Sequence, residues 1–184
     1  HFTYYIIDTD FLYIYTTIDS RMQQYAEESV EEHVAGYLQP IFDKEKRHQT
    51  TRPFSNQLST KEVEKIMRRS MEQSARYITM KKNGASEEDI KKSFNTPHEM
   101  TVFSYNGEVA TIMTPMDSIR YYKSFLRAGF MCMDTRTGYV KAYVGGPDYR
   151  YFQYDMAGVG RRQVGSTVKP FLYTLAMENG MSPC

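Results

Sequence analysis

Ser166 and Lys169 are the two side chains whose types and spacing could do chemistry together. A serine hydroxyl is a weak nucleophile until a base removes its proton. Residues three apart on a helix share a face, so an amine one turn after the hydroxyl can reach it. The segment Ser166-Thr167-Val168-Lys169-Pro170 has that spacing. A helix amino end adds roughly half a positive charge, which favours the alkoxide and an uncharged amine. General-base help of this kind is worth about 10²–10⁴ in rate. The plain alternative is a capping serine and a surface lysine, because Ser-x-x-Lys is short enough to occur by chance.

The elements around this pair follow from punctuation and periodicity. Pro170 is tolerated only within the first four helical positions, so the helix should open near Ser166 and run to about residue 179. Proline also disfavours helical backbone at Lys169, which is a local tension. Phe171, Leu172, Leu175 and Ala176 form an apolar face expected to bury this helix in a domain interior. Gly180 stands where a helix end accepts positive φ. Upstream, residues 130–133 and 139–144 flank Asp134-Thr135-Arg136-Thr137-Gly138 and predict a β-hairpin. A tyrosine-rich loop over 148–160 is expected to pack against that sheet, since it has no basic groove to make it a base-stacking platform.

Further upstream, residues 13–18 are β-branched and aromatic and predict a strand. Asp19 or Ser20 then caps a helix to about residue 36, with Glu27, Glu28, Glu31 and Glu32 on its wet side. Pro40, Pro53 and many polar residues make 40–59 read as a loop. Ser59 or Thr60 opens a long helix to about residue 82, which Asn83-Gly84 stops. Ser86 and Asp89 have capping-box spacing and start a short helix through Phe94. Residues 101–105 and 109–113 flank Asn106-Gly107, a hairpin signal. Thr114-Pro115 begins a helix to about residue 127.

Composition excludes several classes. With 23 basic and 22 acidic residues the net charge is +1, and no basic run points to nucleic acid. No apolar stretch approaches the roughly 20 residues that span a bilayer. The chain opens at His1 without an initiator Met or a signal peptide, and so reads as an excerpt of a longer protein. Cys132 and Cys184 cannot make a disulfide framework, and Cys132 reads as a small core hydrophobe. His1, His33, His48 and His98 lack metal-ligand spacing, so neither a metal nor a cofactor is expected.

Several segments together resemble class A penicillin-binding proteins, the bifunctional glycosyltransferase–transpeptidases that build peptidoglycan. Tyr15-Thr16-Thr17-Ile18-Asp19 with Met22-Gln23 and Tyr25-Ala26-Glu27 resembles the segment that joins the two catalytic domains. Gly129-Phe130-Met131-Cys132-Met133-Asp134 and Thr137-Gly138-Tyr139-Val140-Lys141-Ala142-Tyr143-Val144-Gly145-Gly146 resemble the first transpeptidase hairpin. Arg162-Gln163-Val164-Gly165-Ser166-Thr167-Val168-Lys169-Pro170-Phe171 resembles the nucleophile motif, with Val164 where many members have proline.

The resemblance implies an α+β chain holding part of a penicillin-binding, β-lactamase-like transpeptidase fold. An antiparallel sheet packed by the nucleophile helix, over 129–184, would follow a mostly helical linker and insert with a small β-hairpin over 1–128. It implies that Ser166 attacks D-Ala-D-Ala stem peptides, that Lys169 is the base, and that the Ser166 N–H is one oxyanion donor. An amine of a neighbouring peptide would accept the acyl group, and β-lactams would acylate the same oxygen. The parent would lie at the periplasmic face of the bacterial inner membrane, held by an anchor outside this chain. No glycosyltransferase sequence is present. The family's later Ser-x-Asn and Lys-Thr-Gly motifs do not follow Ser166, so the segment alone is expected to be inactive. Two alternatives stand beside this reading: a penicillin-sensing or scaffold domain acylated without turnover, and another acyl-serine enzyme such as a DD-carboxypeptidase or β-lactamase. The insert could also dock cell-wall machinery.

Overall fold

The computed structural model describes residues 15–183. His1, Tyr13, Ile14 and Cys184 lie outside them. The described chain is α+β: helices alternate with two separate antiparallel hairpins.

Asp19 opens α1 (Ser20–Glu31), its carboxylate accepting the N–H groups of Arg21 and Met22. Residues 15–18 form no strand; instead they lean on the second hairpin, Thr17 Oγ1 donating to the Val140 carbonyl and Asp19 N–H to that of Lys141. The expected loop from residue 40 is partly helical. A π-helical stretch, Glu32–Leu38, leads directly into α2 (Gln39–Lys46). There the Gln39 N–H reaches back five residues to the Val34 carbonyl. That wider turn lets Pro40 enter without striking the preceding turn, where a regular helix would kink or break. Residues 20–46 thus make one continuous helical rod, with Glu27, Glu28, Glu31 and Glu32 exposed as expected.

The long helix expected over 60–82 is two, α3 (Thr60–Glu72) and α4 (Ala75–Lys82). Ser74 divides them because its hydroxyl accepts the Tyr77 N–H, a capping bond that competes with helix continuation. Ser59 and Glu62 close a capping box on α3, and Ser86 caps α5 (Glu87–Asn95) through the Asp89 N–H. Met71, Ile90 and Phe94 form a core cluster beneath α3 and α5. Met80 of α4, with Met116 and Ile119 of α6 (Pro115–Tyr122), packs around it.

Strands β1 (His98–Val102) and β2 (Val109–Met113) pair in register from His98↔Met113 to Val102↔Val109. The first strand ends earlier than its sequence pattern suggested. Tyrosines of α6 take the place of the ladder at Phe103, whose N–H donates to Tyr122 Oη and whose carbonyl accepts from Tyr121 Oη. The α6 helix stops at Tyr122 rather than 127. Beyond it, Gln39 fixes the chain: its amide donates to the Ser124 carbonyl at 2.9 Å and accepts the Leu126 N–H at 2.8 Å.

β3 (Phe130–Met133) and β4 (Val140–Val144) form the second hairpin, with a bulge at Cys132/Met133. Asp134 Oδ1 holds its turn by accepting from Arg136 N–H, Thr137 N–H and Thr137 Oγ1. The expectation that the Ser166 helix packs this sheet is corrected: α1 does, through Ala26 and Val30 against Ala142, Val144 and Cys132. Cys132 is half-buried there, a small hydrophobe as its setting suggested.

Candidate active site

The site is built outward from β4. Gln23 of α1 presents its whole amide to Tyr143, accepting its N–H at 2.7 Å and donating to its carbonyl at 2.9 Å. A helix side chain thereby satisfies backbone groups that a strand edge leaves open. The Tyr143 hydroxyl in turn donates to Asp155 Oδ2 at 2.5 Å. The other Asp155 oxygen accepts the N–H groups of Ala157 and Gly158 at 2.8 and 3.0 Å. The Tyr143 hydroxyl, followed by the Gly158 N–H, holds the Asp155 carboxyl below the usual carboxylate range. The same bond pushes the Tyr143 phenol up.

Two glycines let this turn sit close. A Cβ on Gly129 would lie 2.5 Å from the Ala157 nitrogen. One on Gly158 would lie 2.6 Å from the Tyr143 hydroxyl. A side chain at Gly129 would have to move backbone, and one at Gly158 would have to displace the Tyr143 hydroxyl and the Asp155 carboxylate. The Met156 N–H closes the joint on the Gly145 carbonyl at 2.8 Å.

The earlier part of the loop docks elsewhere than expected. Tyr151 and Phe152 meet Phe103, Tyr122 and Phe125 with ring centroids 5.1–6.2 Å apart, so this part of the loop packs on α6 and the first hairpin. Glu108 reinforces the contact by accepting from Tyr151 Oη at 2.7 Å and from Arg150 at 3.1 Å. Sequence reasoning missed this whole set. The spacing of Asp155 before Ala157-Gly158, which suits an aspartate-capped turn, was the available signal.

Ser166 lies in a single 3₁₀ turn, Gly165–Val168, which runs into α7 (Lys169–Glu178). Gly165 has φ 49°, a conformation that favours glycine. The helix ends as its sequence suggested, with Gly180 at φ 85° and the Met181 N–H returning to the Ala176 carbonyl. Ser166 and Lys169 stand one turn apart, both exposed, and the Lys169 N–H donates to the Ser166 carbonyl. Among the described residues no hydrogen bond joins the two side chains. The apolar face of α7 is not buried: Phe171 is 76%, Leu172 55% and Leu175 56% exposed. Its one substantial neighbour among the described elements is its own preceding turn. Nothing described therefore covers the face.

Comparison with known proteins adds the lineage. The model of the penicillin-binding protein middle domain matches residues 49–126. Penicillin-binding protein 1A of Aquifex aeolicus is 26% identical over 178 residues, 93% of this chain and 23% of that protein. Penicillin-binding protein 2D of Bacillus subtilis is 43% identical over 60 residues, 33% of this chain and 9% of that one. These matches support a fragment of a class A penicillin-binding protein. Penicillin-binding protein 1A of Neisseria cinerea is 42% identical over 57 residues, 31% of this chain and 7% of that protein. The chain thus spans less than a quarter of the length of these relatives. No solved structure matches it.

The matched middle region supplies Phe103, Glu108 and Tyr122. Those side chains hold Tyr151 and Phe152 in the loop that leads on to Ser166.

Proposed function

We propose that the protein carrying this chain is a D,D-transpeptidase that crosslinks peptidoglycan stem peptides through an acyl-enzyme on Ser166. One observation carries the reading: in a class A penicillin-binding protein chain, Ser166 opens the last helical segment one turn before Lys169. Ser166 Oγ attacks the carbonyl carbon of the penultimate D-Ala while Lys169 accepts the hydroxyl proton. The amide C–N bond breaks, and the terminal D-Ala leaves as an amine that takes that proton. An amine of a neighbouring peptide then attacks the ester, and Ser166 Oγ leaves with the proton restored. The Ser166 N–H is one donor to the oxyanion in both steps.

Under this reading β-lactams acylate the same oxygen. The protein works at the periplasmic face of the inner membrane, and residues 1–128 serve as linker and insert to a transpeptidase domain that begins at 129. Under the same reading the chain acts as part of the intact protein. Fluorescent penicillin should label the intact protein at Ser166 and leave a Ser166→Ala variant dark. A Ser166→Ala protein that still labels would overturn the assignment.

A further inference from the structure

A second feature lies beside the nucleophile segment. Lys123, Arg127 and Arg162 converge on a groove of about 450 Å³ walled by Tyr122, Tyr154 and Met156. Lys123 is half-buried, and burial followed by repulsion from Arg127 holds its amine below the usual range. Among the described residues no carboxylate lies within ion-pair distance of any of the three. The carboxyl end of α6, which Lys123 caps, offsets part of one positive charge. Arg127 also lies over the Phe152 ring, 4.8 Å from its centroid. Arg127 and Arg162 are exposed to water and only Lys123 is half-buried, so the three cations share the groove without a carboxylate partner, an arrangement that favours an anion.

Position selects the kind of anion. Arg162 stands four residues before Ser166, so the two lie at most about 14 Å apart even with the chain fully extended. A ligand spanning that distance with one end at Ser166 is a short peptide. Aromatic and methionine walls suit its apolar atoms.

We propose that this groove binds a side-chain carboxylate of a peptide whose other end reaches Ser166. The peptide part rests on the acyl-serine reading above; the anion part rests on the groove alone.

The test uses the intact protein and two fluorescein-labelled pentapeptides ending in D-Ala-D-Ala, one with an internal glutamate and its twin with glutamine there. Fluorescence polarisation at low salt should show the glutamate peptide binding about tenfold more tightly, a gap that closes in Lys123→Gln and narrows as salt rises. Arg162→Gln repeats the measurement should Lys123→Gln fail to fold. Equal binding of the twins, or no binding of either, overturns the proposal. Inorganic phosphate displacing the glutamate peptide at equal concentration also overturns it, since the groove would then hold any small anion. Fluorescent-penicillin labelling of the same samples reports on Ser166 separately. Labelling with equal twins sinks only the groove, whereas a glutamate preference without labelling sinks only the acyl-serine reading.

Discussion

The Tyr143 hydroxyl donates to the Asp155 carboxylate, tying the last strand of the second hairpin to the turn that leads toward Ser166. Asp155 has a lower pKa folded than unfolded, where carboxylates of this type titrate near about 3.9. Its contribution is therefore complete above the unfolded value and is lost as pH falls through the folded one. Asp19 and Asp134 are depressed too, chiefly by backbone N–H groups of Met22 and Thr137, and act with the same sign. Thermal stability should be flat from about pH 7 to 5 and decline below about pH 4, with Asp155→Ala showing a shallower decline. Amide exchange at Ala157 and Gly158 should quicken in Asp155→Ala more than in Asp155→Asn, which keeps one acceptor oxygen. Equal protection in both variants would show that the carboxylate does not hold the turn.

Gly129→Ala places a methyl group 2.5 Å from the Ala157 nitrogen. The clash is with backbone, so the turn itself must move, at a cost of about 1–3 kcal/mol. Calorimetry should show a lower melting temperature, and penicillin labelling at Ser166 should slow.

Phe94 is 1% exposed and Ile90 0%, the two most completely buried large side chains described. Phe94→Ala should cost about 3–5 kcal/mol, and Ile90→Val about 0.5–1.5 kcal/mol. Urea titration measures both. Similar losses for the two would mean that the helical core collapses around the missing ring.

Gln39 is the buried polar residue that joins the long rod to the chain after α6. Gln39→Leu keeps the volume but leaves the Ser124 carbonyl and the Leu126 N–H without that partner. It should cost about 1–3 kcal/mol by urea titration. Gln39→Glu keeps the acceptor for Leu126 and should fall between wild type and Gln39→Leu.

Some of this protein was written locally. Asp19, Ser59, Ser86 and Thr114 cap helices with side chains that bond backbone two or three residues ahead, so neighbours in sequence suffice. The second hairpin was equally plain because Asp134 and Gly138 build its turn from within. The Ser166-Thr167-Val168-Lys169 spacing and the resemblance around it were also legible.

What the tertiary structure decided depends on partners far away in sequence. The first strand stops at Val102 because Tyr121 and Tyr122 claim the Phe103 backbone from 18 and 19 residues downstream. The Tyr143 edge is filled by Gln23, 120 residues upstream. Local pattern reports which backbone groups a residue could satisfy. Which of them it does satisfy is settled only when distant segments compete for the same donors and acceptors, since a buried group left without any partner is costly.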